Sequence, residues 1–404
     1  GGERTASGLP IVANDPHLAL GLPPLWFSAR LHSPDYDASG VTLPGAPGVV
    51  LGRGPKVAWA FTNLYVHDLD VFVEQLDDSG RRVRRGDQWV DLVIDRQTIR
   101  VRGAADVALE VSSSERGPLL PAEPSRGLPS RSLTWTGASE ADQLGAFLRL
   151  ARADSVRDVP AAIESYVFPA QNLVAGDDAG SILWTPIGRA PRRENFDGRF
   201  PAPGWKSEVR WDGLVPASAN PVLIDPPGGV IATANSFLPV AQPRWFEGVF
   251  DTPYRADRVR EVLRGRSGWN AEALARVQVD TVSLWAQELS REVAASFSEP
   301  PTGDAGKALA LLSPWSGAMT SGPQDSAAAA LVVLVERHLQ RAIFEDEATR
   351  AGLARFGTRW RLHRLLRGEL SPEYFDDVTT PDVEDRQAIV RRALADAWAE
   401  AARR

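Results

Sequence analysis

Cysteine is absent from the chain. That excludes disulfides, thiolate nucleophiles and Cys-ligated zinc or iron–sulfur centres. It leaves the compartment open, because an exported protein can do without disulfides. Histidine is scarce: His17, His32, His67, His338 and His363 are the five, none in an HExxH pair, so a zinc site built on histidines is not expected. No apolar run approaches the roughly 20 residues that span a bilayer. The formal charge of −7 comes without a broad basic stripe, which argues against nucleic acid as a partner. A GxGxxG fingerprint, a P-loop and an internal repeat are also missing.

What remains is the profile of a soluble globular chain with a substantial core, 43% hydrophobic and 24% charged over 404 residues. That length suits one large or two ordinary domains. Thirty-one prolines and thirty-four glycines point to ordered turns and long surface loops. The chain opens on Gly1-Gly2-Glu3 rather than Met, shows no signal peptide, and closes in a helical stretch with no Gly or Pro stop signal. These ends suggest a fragment, or one processed chain of a larger precursor.

Residues 1 to about 120 read as strands and turns. Leu9–Ala13 is strand-like and runs into Asn14-Asp15-Pro16-His17, a turn whose residues fix the backbone locally. "QTIRVRGAADVALEVS" reads as a hairpin, with Ile99 and Val101 on one arm, Val107, Leu109 and Val111 on the other, and "GAAD" between. Ser139 with Asp142 resembles a helix start, after which Leu144, Phe147, Leu148 and Ala151 recur at helical spacing. A second helical stretch covers roughly 155–166. Strands return in "QNLVAGDDAGSILWTPIG", with a turn at Gly180. From about 253 helices dominate, including Asp325–Phe344 and a last helix with Val390, Leu394 and Trp398 on one face. Strands interleaved with helix pairs, without a βαβ rhythm, favour a layered α+β fold.

"SGLPIVANDPHL", "LPGAPGVVLGRGPKVAWAFTN", "FPAQNLVAGDDAGSI", "TANS" and "YRADRV" occur in the order and spacing of the penicillin acylase (penicillin amidase) family, which the chain resembles from Gly1 to about Val259 and more weakly beyond. The resemblance implies an N-terminal-nucleophile hydrolase with a four-layer αββα core over 1–252. A largely helical continuation over 253–404 would be truncated at its C-terminus. A precursor of this family cuts itself, and the new N-terminal residue, normally Ser, becomes the nucleophile. The resemblance places that residue about six positions before Gly1.

The same resemblance assigns roles. Asn63 would offer its backbone N–H to the oxyanion and Asn235 its side-chain amide. His17 would orient the attacking serine, and Arg258 would fix the asparagine and the α-amine environment. Taken singly, these read as a surface histidine, two turn formers and a solvated helix face; only their joint register lifts them. A free α-amine serves as the base for the serine hydroxyl, since it titrates near pH 8 and is partly neutral at physiological pH. Leu18 and Leu51 fall at acyl-pocket positions, with Phe61 nearby, and leucines there suit an aliphatic acyl chain as well as an aromatic one.

Calcium is the one cofactor implied. Asp70 and the carbonyl of Leu69 match ligand positions, and Glu247 would add a carboxylate. His67 stands where an Asp is expected, a poor exchange for an ion that prefers several oxygens; the rival reading is a solvated charge pair. The implied function is hydrolysis of an N-acyl amide (β-lactam side-chain amide, N-acyl-homoserine lactone or acyl-peptide) by a periplasmic or secreted heterodimer formed with an α chain from the same precursor. The alternatives are a non-catalytic binding protein on the same scaffold, and a sugar-binding protein using some of the thirteen tryptophans.

Overall fold

The structure is a computed structural model. It describes residues 1–403 except 17, 19–20, 237–244, 246, 323–324 and 353–357. The chain divides into two compact units, Gly1–Phe250 with Ser267–Asn270, and Asp251–Arg266 with Ala271–Arg404. The fold class is α+β.

The first unit carries the sheets. The larger has seven antiparallel strands in the order β1 (Phe27–Ser33), β2 (Tyr36–Thr42), β3 (Leu51–Arg53), β4 (Val57–Asn63), β12 (Gln171–Asp177), β13 (Ile182–Ile187) and β17 (Leu223–Ile224). The second runs β15 (Ala202–Pro203), β5 (Leu69–Val73), β11 (Arg131–Trp135), β10 (Gly117–Leu120), β9 (Val107–Ser114) and β8 (Val93–Ile99). Two two-stranded sheets stand apart: β6 (Arg82–Arg85) with β7 (Gln88–Asp91), and β14 (Pro191–Glu194) with β16 (Arg210–Leu214).

Alternation explains β4. Val57, Trp59 and Phe61 point to one face, where they share a core with Leu150 of α1 (Gln143–Leu150) and Val159 of α2 (Val159–Ala162). Nearly every residue of β12 and β13 is buried, so both faces of the sheet are covered there. On the second face Gly176 admits the N-terminal segment. A Cβ on it would sit 3.0 Å from Pro10 Cβ and 3.3 Å from Val12 Cγ2.

Three local expectations shift. Leu9–Ala13 is not a strand; it lies against the sheet at Gly176 without joining a ladder, and Pro10 has no N–H to give one. The β8–β9 arm ends at the Ile99–Val107 pair, so the loop is 100–106 and Val101 is outside the ladder. The first helix is capped by Asp142, whose carboxylate accepts from the Gly145 N–H at 2.8 Å, while Ser139 closes a preceding 3-10 turn.

Among the described residues the second unit is helical: α3 (Tyr254–Arg264), α4 (Ala271–Gln278), α5 (Leu284–Ala295), α6 (Gly303–Leu312), α7 (Ser326–Arg350), α8 (Arg359–Leu366) and α9 (Arg386–Ala401). Its core sets Leu331, Val335 and Leu339 of α7 beside Ile389, Ala393 and Leu394 of α9. Beside that core, burial and then the adjoining Asp346 carboxyl push Glu347 up to about 7. A carboxyl raised on folding favours the folded state below its unfolded value near 4.5, and that contribution is lost as pH rises through 7. Glu347→Gln is therefore expected to flatten the fall of Tm between acid and neutral pH. Unfolding scans across pH check it, and an unchanged slope would refute it.

Candidate active site

The site grows from the end of β4. Strand β3 covers β4 only as far as the Gly52–Trp59 pair. Beyond it the Phe61 N–H turns to the side-chain oxygen of Asn14 at 2.9 Å. Thus the Asn14-Asp15-Pro16 turn is fastened to β4 two residues before Asn63. His17 itself lies outside the described residues.

Asn63 closes the strand opposite Gln171 of β12, whose Nε2 donates to the Asn63 side-chain oxygen at 2.7 Å. The neighbouring pair is also polar: Asn172 Nδ2 donates to Thr62 Oγ1 at 3.2 Å, and Asn172 Oδ1 accepts from Trp184 Nε1 at 3.2 Å. Thr62 Oγ1 then donates to Thr233 Oγ1 at 2.9 Å, which draws in the segment carrying Asn235. Asn235 Nδ2 donates to the Asn63 carbonyl at 2.8 Å. Asn235 is held at φ +64°, a left-handed conformation that asparagine tolerates better than most side chains. The structure therefore joins Asn63 and Asn235 directly. On that same segment Gly229 packs against Gly1, 3.6 Å from an ideal Cβ there. Asn235 lies six positions beyond Gly229, a span of at most about 20 Å.

The remaining residues are placed as follows. Arg258, on α3, is bidentate with Asp280 at 3.0 and 2.7 Å and reaches Glu261 at 3.2 Å. These partners lie in the second unit, whereas Asn63 and Asn235 lie in the first. The Arg258 hydrogen bonds hold Asp280 below the usual carboxylate range. Leu51 and Phe61 are buried in the core under α1 and α2, and Phe61 meets Phe147 edge-on at 6.0 Å. Leu18 is exposed.

The residues expected around calcium do not fit that ion. Asp70 is buried with both oxygens engaged: Oδ2 accepts from Arg193 Nε at 2.8 Å and from Trp211 Nε1 at 2.5 Å, and Oδ1 from Arg193 Nη2 at 3.3 Å. The Glu247 carboxylate stands 3.8 Å from Arg199 Nε, while its carbonyl accepts from the His67 N–H at 2.8 Å. Among the described residues no three His, Asp or Glu side chains converge on a metal position.

Two groups escaped the sequence reading. Gln171 and Thr62 had a signal, since "QN" and "TN" are polar pairs at the ends of otherwise apolar strands. Arg193 and Trp211 had none. They lie 123 and 141 positions from Asp70, and only the folded ribbon sets them side by side.

The fold and the Asn63–Asn235 pair define a class. Over its whole length the chain superposes on a thermostable penicillin G acylase from Alcaligenes faecalis with a TM-score of 0.84 at 18% identity, covering 77% of that chain. The architecture is thus the α+β fold of that acylase. A family model described as penicillin amidase matches residues 1–404, and the chain belongs to that family. It is 34% identical over 285 residues (69% of this chain, 36% of the relative) to penicillin acylase 2 proenzyme of Pseudomonas sp. strain SE83. It is 29% identical over 434 residues (97% of this chain, 50% of the relative) to acyl-homoserine lactone acylase QuiP of Pseudomonas aeruginosa. The chain spans half or less of the length of these two relatives.

Proposed function

We propose that this chain is part of an amidohydrolase that cleaves N-acyl amides through a serine acyl-enzyme. The observation that carries the reading is the hydrogen bond from the Asn235 amide to the Asn63 carbonyl, which pairs two stretches 172 residues apart at one strand end. Relatives named as acylases support the chemistry.

The nucleophile would be the hydroxyl of a serine about six residues before Gly1, bared when a precursor cuts itself. Its own α-amine takes the hydroxyl proton, and the oxygen attacks the amide carbon. The carbonyl oxygen becomes an oxyanion between the Asn63 N–H and the Asn235 amide. A carboxamide NH2 carries two protons; the Asn63 carbonyl receives one and aims the group, and the oxyanion takes the other. His17, three residues beyond the Asn14 fastening, would orient the serine. Collapse breaks the C–N bond, the amine leaves with the proton, and water then hydrolyses the ester to a carboxylic acid. Leu18, Leu51 and Phe61 would give the acyl group an apolar surface that suits an aliphatic chain as well as an aromatic one. The whole protein would be exported and paired with an α chain, and its substrates would be β-lactam side-chain amides, N-acyl-homoserine lactones or acyl-peptides.

The test is to express the complete precursor and assay the processed protein on amides whose acyl group runs from phenylacetyl to long aliphatic, with homoserine-lactone and β-lactam amines. The expected result is release of acid and amine in equal amounts, and loss of turnover when the residue at the cut is made alanine. Binding without turnover across the panel would favour a non-catalytic scaffold instead.

A further inference from the structure

The geometry points to Arg193 as the built-in cation of the position beside β5, where the guanidinium does the work expected of calcium and leaves the ion no place. Its Nη2 donates to the His67 carbonyl at 2.6 Å and to Asp70 Oδ1, while Nε donates to Asp70 Oδ2. One carboxylate and one backbone carbonyl are the kinds of oxygen that calcium takes. Here a planar fork satisfies both, which suits arginine better than any point charge.

The site is also full. Side chains of Arg193 and Asp70 are only 8% and 2% exposed. Gly198, at φ +77°, covers the guanidinium so closely that a Cβ there would overlap Arg193 Nε and stand 2.9 Å from Asp70 Oδ1. The third group on the carboxylate, the Trp211 indole, is a donor with nothing to offer a metal. Calcium needs six to eight oxygens, and this cluster supplies hydrogen-bond donors where several should be.

The donors are presented together for a local reason. Arg193 and Trp211 are cross-strand partners in the β14–β16 ribbon, and the register shifts between Pro191 and Arg193. A bulge of that kind re-aims a side chain. Here it lets both N–H groups grip one carboxylate, which clips the ribbon onto β5. The His67 carbonyl extends the clip to the 64–68 linker between β4 and β5, whose other side is bridged at Val66 to Gly248.

Metal content and unfolding of the complete processed protein decide the matter, whether or not the hydrolase reading holds. After dialysis against EGTA, elemental analysis is expected to find no stoichiometric calcium. Tm should agree within about 0.5 °C in chelator and in millimolar calcium, whereas a site filled at a hundredfold excess would raise it by roughly 2–3 °C. One calcium per chain, or a rise of that size, overturns the proposal. Arg193→Met strands a buried carboxylate and should lower Tm by roughly 2–6 °C. The double variant Asp70→Asn with Arg193→Met should fall less, because the charge leaves with its partner. A double variant as unstable as Arg193→Met would overturn the ion-pair role.

Discussion

Asn235→Gly in the complete processed protein is expected to lower kcat by roughly 10²–10³-fold while shifting folding stability by no more than about 1 kcal/mol. The two effects separate because the residue does two things. Its amide is the proposed oxyanion donor, and losing such a donor commonly costs about 2.7–4 kcal/mol of transition-state stabilisation. Its backbone sits at φ +64°, which glycine adopts without strain. Alanine at the same place should lose as much activity and a further ~1–2 kcal/mol of stability, since a Cβ disfavours the left-handed region. Asn235→Asp keeps the shape but sets a carboxylate against the Asn63 carbonyl and the developing oxyanion, so it should be the least active of the three. Steady-state kinetics with one acyl amide, beside thermal unfolding of each variant, read both effects. Glycine within tenfold of the parent, or activity that tracks Tm across the series, would remove Asn235 from the chemistry.

Asp177→Ala should produce one of the largest losses of stability open to a single polar substitution in the first unit, about 3–5 kcal/mol. The side chain is buried, and its carboxylate accepts three backbone N–H groups: Val156 at 3.0 Å, Ala179 at 3.1 Å and Ser181 at 2.9 Å. Two of these close the β12–β13 turn, and the third ties the start of the 156–162 helical turns to that sheet. Alanine strands all three donors, each costing about 1–3 kcal/mol if buried without a partner. Asp177→Asn keeps an acceptor and should fall roughly halfway. Its neighbour Asp178 is exposed, so Asp178→Ala should stay within about 0.5 kcal/mol of the parent. Chemical denaturation monitored by tryptophan fluorescence gives the comparison, and equal effects at 177 and 178 would refute it.

The two aspartates show where sequence reading stops. "GDDAG" announces a turn, because Gly and Asp fix local backbone geometry, yet the string does not say which carboxylate faces inward. The strands around it were legible from continuous apolar runs, and the helices after 253 from spacing of Ala, Leu and Val. Boundaries were less so. Asp142 displaced Ser139 as the cap, and Val101 fell out of its hairpin, since each depends on packing that periodicity does not record. For the site, register against a family brought out Asn63 and Asn235, and the structure joins them. It could not foresee that Asp70 would meet an arginine, because charge compensation is settled by neighbours in space.

The Arg193–Trp211 ribbon has a consequence for how this region can change. In a two-stranded ribbon a shift of one residue turns every side chain to the opposite face. An insertion or deletion inside 191–194 would swing the guanidinium away from Asp70, and one inside 210–214 the indole, however conservative the inserted residue. Evolution and protein engineers alike should find this ribbon permissive toward outward-facing replacements and intolerant of altered length.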